Sequence, residues 1–129
     1  MDANQALTEL AELSSQIDRA AVLDAKGAVL AATGDGGEAL AQSALELLAA
    51  AGGLHASTGR ATRAEVEIAE GGLFVLVEGE RTIVATTKPD PTSGLVVYDL
   101  RTCLAGITEP KPKRPRTKRK PKPNEEDGE

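Results

Sequence analysis

Few side chains in this sequence have the type and spacing for chemistry. Cys103 is the single cysteine and His55 the single histidine in 129 residues. That excludes an internal disulfide, a cysteine-ligated metal and a multi-histidine metal centre. Cys103 falls on the helical apolar stripe Val96, Leu100, Cys103, Leu104, Ile107, so it reads as a small core residue. No histidine is placed to activate it, because His55 belongs to a loop after a different element and reads as solvated. Gly34-Asp35-Gly36-Gly37 precedes a helical pattern, and helix N-termini bind anions. Yet no Gly-Lys-Ser/Thr follows, no GxGxxG is present, and Asp35 would repel a phosphate. The run reads as a turn and helix cap. Glu65, Glu67, Glu70, Glu78 and Glu80 read as a solvated face or an electrostatic docking surface. These residues make no catalytic constellation and call for no cofactor or metal, which favours an interaction protein over an enzyme.

The remaining chemistry is charge. The net charge of −5 conceals two populations. Residues 1–109 carry seven Lys/Arg against sixteen Asp/Glu, and residues 110–129 carry eight against four. The eight cations are Lys111, Lys113, Arg114, Arg116, Lys118, Arg119, Lys120 and Lys122. From Pro110 onward there is no Val, Ile, Leu, Phe, Tyr, Met or Cys, so this segment cannot bury enough apolar surface to offset its ordering entropy. The expected organisation is one domain over 1–109 and a disordered basic arm with an acidic end over 110–129. At about 3.1 Å per residue, a proline-rich stretch of this kind spans roughly 37 Å. It is suited to the backbone of DNA or RNA, an anionic lipid, or an acidic protein surface, this protein's own body included. No aromatic residue is interleaved, so any nucleic-acid contact would be nonspecific. No apolar run approaches the length of a membrane span and no secretory segment opens the chain, so the expected location is the cytoplasm.

Apolar periodicity sets out the elements. Leu7, Leu10, Ser14 and Ile17 predict a first helix over residues 4–16. Ala20–Leu23 and Ala28–Ala32, separated by Asp24-Ala25-Lys26-Gly27, predict a hairpin. Leu40, Ala44, Leu47, Leu48 and Ala51 predict a second helix over 38–51, ended by Gly52-Gly53. Three strands follow. In the first, Val66 and Ile68 alternate with Glu65 and Glu67, so one face is expected to be buried. Leu73–Val77 is apolar on both faces and predicts a central strand covered on both sides. Thr82–Thr87 is intermediate. The Val96–Ile107 stripe closes the chain as a helix capped by Asp90 or Thr92. Short connections imply a mostly antiparallel five-stranded sheet between helices, a three-layer α/β/α unit.

This order resembles the roadblock (dynein light chain) family. The likeness is carried by Ala20-Ala21-Val22-Leu23-Asp24-Ala25-Lys26-Gly27-Ala28-Val29-Leu30-Ala31-Ala32 and by Gly94-Leu95-Val96-Val97-Tyr98. It covers about residues 4–107 and is nearest to the bacterial branch, small regulators paired with Ras-like GTPases. The resemblance implies a profilin-like α/β fold, a homodimer joined through third strands and second helices, no catalytic residues, and action by docking on a small GTPase as a regulator or signalling scaffold.

The charged strand offers its own reading of a dimer. Antiparallel pairing of two copies centred on Ala64 sets Arg63 opposite Glu65 twice, whereas centring on Glu65 sets like charges together. The expected interface is Arg63, Ala64, Glu65, Val66 and Glu67 with Ala44 and Leu48 of the second helix. The competing view is that the glutamates only keep a free edge from aggregating.

Overall fold

The structure, a computed structural model, describes residues 1–54 and 61–108. His55 and the basic arm lie outside them. The first helix, α1, spans Ala3–Leu13. A reciprocal cap starts it: Asp2 Oδ1 accepts from the Gln5 N–H at 2.8 Å, and Gln5 Oε1 accepts from the Asp2 N–H at 3.0 Å. It ends earlier than the periodicity implies, because Ser14 turns extended. Ile17, which keeps the helical spacing just beyond the expected helix, opens the strand β1, Ile17–Leu23, where β-branched residues are favoured.

A tight turn leads to β2, Val29–Ala32. Asp24 Oδ1 accepts from the Lys26 and Ala28 N–H groups at 2.8 and 2.9 Å, and Gly27 takes φ 88, a conformation a Cβ disfavours. The helix α2 runs Gly37–Gly52. Gly36 caps it at φ 87 without a side-chain bond, so the Gly34–Gly37 cluster is a turn and cap. Then come β3, Arg63–Ile68, β4, Gly71–Glu78, and β5, Arg81–Thr87. The helix α3, Ser93–Ala105, closes the fold. Thr92 is its N-cap but makes no side-chain cap bond, and Asp90 lies outside it at φ 55.

The sheet order is β2-β1-β5-β4-β3, antiparallel throughout. Helices α1 and α3 cover one face, packing Leu7, Leu10, Val96, Leu100 and Leu104 on Val22, Phe74, Leu76 and Ile83. Helix α2 covers the other alone, setting Leu40, Ala41 and Ala44 on Ala21, Leu23, Val75 and Val84. The three-layer α/β/α architecture is therefore present. Strand β4 is interior and covered on both faces, but the middle of the sheet is β5. The three-layer unit has only one helix on the second face, and that decides what is left open at β3.

Candidate functional site

Strand β3 is the outer edge of the sheet, paired only with β4. The Val77 N–H donates to the Thr62 C=O at 2.8 Å. Antiparallel ladders alternate, so Thr62, Ala64, Val66 and Ile68 direct their backbone groups toward β4. Arg63, Glu65 and Glu67 direct theirs outward, to a row without a strand partner.

The two faces of this strand differ. Arg63, Glu65 and Glu67 lie on the α3 side, since Glu65 stands opposite Phe74 of the α1/α3 core. There Arg63 and Glu65 border a groove of about 510 Å³ whose other wall includes Ser93, Tyr98, Arg101 and Thr102 of α3. Arg63 Nε approaches Glu65 Oε2 at 3.6 Å, and Arg101 Nε bonds Glu78 Oε2 at 2.7 Å. Both pairs are half-exposed surface contacts, worth little individually.

On the opposite face the expectation of burial fails. Val66 is 43% and Ile68 62% exposed. The reason is the position of α2. It sits over the row Ala32, Ala21, Val84, Val75, Ala64; in the next row, Arg19, Thr86, Leu73, Val66, Leu73 still packs partly against its core while Val66 lies past it. The alternation correctly identified an apolar face but not its lack of cover. Val66, Ile68 and Leu73 thus form an apolar surface continuous with the open edge.

The structure brings Arg63, Ala64, Glu65, Val66 and Glu67 together on one edge strand. It does not place Ala44 on a surface: that residue is fully buried on the sheet-facing side of α2, and its small size lets the helix approach the sheet. Leu48 is partly buried against the same core. Leu45 lies toward the β1–β2 hairpin, since a Cβ at Gly27 would fall 2.8 Å from its Cδ1. Helical periodicity puts Ala39, Ser43, Leu47 and Ala50 on the flank of α2 opposite Leu45. Of these, Leu47 stood out in the apolar pattern of the sequence, and the burial of the opposite side of α2 identifies the rest of that flank.

Cys103 is buried between α1 and α3. Burial pushes its thiol up to about 11, and Glu9 adds to the rise, so it is poorly placed to be a thiolate nucleophile. Among the described residues no cluster of His, Cys, Asp or Glu could hold a metal ion, and no helix is long and apolar enough to cross a membrane.

No family model and no characterised protein sequence matches the chain. Solved structures do. A roadblock/LC7 domain from Streptomyces avermitilis superposes with a TM-score of 0.65 at 24% identity, covering 80% of this chain and 95% of that one. The gliding protein MglB from Thermus thermophilus gives 0.64 at 20% identity, over 78% and 82%. LokiProfilin2, solved in complex with rabbit actin, gives 0.58 at 13% identity, over 78% and 91%. The element order, the all-antiparallel sheet and these superpositions together show that the chain has the roadblock fold, with profilin-like neighbours.

Proposed function

We propose that this protein is a noncatalytic homodimeric regulator or scaffold that joins two copies along β3 and docks on a small Ras-like GTPase or a related signalling partner. The observation that carries the dimer is the β3 edge, a regular strand with an outward row of backbone groups beside exposed Val66 and Ile68. The ladder alternation supports the proposed register. Outward residues of one copy must face outward residues of the other, which allows centres at Ala64, Glu65 or Val66. Centring on Glu65 opposes Glu65 to itself, and centring on Val66 opposes Glu65 to Glu67. Centring on Ala64 alone opposes Arg63 to Glu65, twice. The flank Ala39, Ser43, Leu47 and Ala50 would then meet its symmetry mate, and small residues there permit close approach.

The GTPase is proposed from the resemblance to the bacterial roadblock branch, and with it a cytoplasmic setting. Sedimentation at tens of micromolar should return twice the chain mass, and affinity capture of the full chain should retain a GTP-binding protein of Ras-like size. A monomeric mass would remove the dimer; a dimer with no GTP-binding partner would remove only the docking step.

A second reading rests on a separate feature, the eight cations between Lys111 and Lys122. In this reading two arms per dimer hold a nucleic-acid backbone with avidity and without base specificity. If about five phosphates are neutralised on duplex DNA, log K falls with log salt at a slope near −4.5. An affinity independent of salt would reject it.

A further inference from the structure

Helices α1 and α3 run antiparallel and leave a shallow groove of about 40 Å³ between them, with Ala6, Leu10 and Cys103 inside and Glu9, Leu13 and Asp99 along it. Leu13 is 74% exposed. The groove is too shallow for a small molecule and suits an extended chain lying over it. Among the described residues its acids have no ion-pair partner: the pairs there are Arg63–Glu65, Lys88–Asp18 and Arg101–Glu78, and neither Glu9 nor Asp99 takes part.

The chain leaves the fold at one end of this groove. Thr108 is fastened to the start of α1, its N–H donating to the Met1 C=O at 2.8 Å and its Oγ1 accepting from the Met1 ammonium at 2.7 Å. Gly106 lines the groove beside Met1. From Gly106 back to Asp99, α3 covers about 10 Å at 1.5 Å per residue. From Thr108 to Lys111 an extended chain also covers about 10 Å. The first cations after the fold are therefore within reach of these acids.

We infer that the basic segment Lys111–Lys122 lies along the α1–α3 groove of its own chain, its cations against Glu9 and Asp99. Each contact is weak at an exposed site, but the tether holds the arm at an effective concentration of about millimolar, so weak contacts suffice. A polyanion or an acidic partner must then displace the arm from the groove before it can bind.

The test uses the full chain with a nitroxide on Thr117→Cys. Every sample also carries Cys103→Ala, so that the nitroxide sits only at position 117. In nucleic-acid-free protein the amide signals of Glu9, Leu13, Asp99 and Thr102 should fall by about half or more in 0.05 M salt and recover in about 0.5 M, where charges are screened within a few ångströms. The Glu9→Lys/Asp99→Lys variant should abolish the loss at low salt. The neutral Glu9→Gln/Asp99→Asn variant should weaken it, guarding against a folding defect. Signal loss that is equal over the surface, centred on β3, or untouched by both variants overturns the inference. So does loss in isotope-labelled chains without a nitroxide when they are mixed with nitroxide-bearing chains that carry no isotope.

Discussion

At one edge of the sheet β2 is four residues long, and its register with β1 skips Leu30. At the other, β3 is six residues in unbroken register with β4. A short bulged strand is a poor template for a further strand, because a bulge twists the ladder and misdirects its backbone groups. A regular edge is a good template unless something covers it. Among the described residues nothing covers the edge of β3, whose Val66 and Ile68 reach past α2 on one face and whose Arg63 and Glu65 border the α3 groove on the other. The difference teaches that the two edges are managed differently: β2 is closed by its geometry, and β3 is left to charge pairing.

The largest effect should come from Gly71, which begins β4 and so holds β3 in place. It takes φ 153, and a Cβ there would lie 2.1 Å from the Thr87 carbonyl oxygen. Gly71→Ala should cost about 3 kcal/mol or more of stability, read as a lowered urea midpoint. A proline scan then separates the two sides of β3. Ala64→Pro removes an inward ladder donor and should cost about 3 kcal/mol. Glu65→Pro removes only an outward one, so the fold should stay within about 1 kcal/mol while dimer dissociation rises about 10- to 100-fold through lost strand bonds. Equal damage from both would mean that β3 has no privileged outer side.

Charge reversal sharpens the register. Glu65→Arg should weaken the dimer about tenfold by setting arginines opposite one another. Arg63→Glu/Glu65→Arg should restore it to within about threefold, since the opposed pairs are regenerated. Analytical ultracentrifugation reads both, and failure of the double variant to recover would move the seam off Ala64. The smallest effect belongs to the other edge. Leu30 is 38% exposed, and Leu30→Lys should change stability by no more than about 0.5 kcal/mol and leave the mass of the assembly unaltered.

Much of the fold was legible because local patterns dictated it. The apolar run Leu73–Val77 announced a strand covered on both faces, and Asp24 with Gly27 announced the hairpin turn. Helix α1 was read too long because Leu10, Ser14 and Ile17 keep helical spacing, while pairing of Ile17 with Thr87 across the sheet outweighs that pattern. The middle position of β5 was not legible, since Thr82–Thr87 is less apolar than its neighbour and strand order arises from pairing between distant segments. At the candidate site, Glu65 and Glu67 pointed to β3 from the sequence, but Ala44 did not belong on a surface.

By itself, the sequence determined the elements, the layered class, the separation of an acidic body from a basic arm, and the lack of a recognisable catalytic motif. These follow from composition and from periodicities of two and 3.6 residues, which are properties of the local chain. The tertiary structure alone decided that α2 stops short of Val66 and Ile68, that β3 and not β2 is the open edge, and that Glu9 and Asp99 share one groove beside the point where the arm departs. Periodicity can say that a face is apolar. What covers that face depends on where a distant helix comes to rest, and only the packing of the whole chain fixes it.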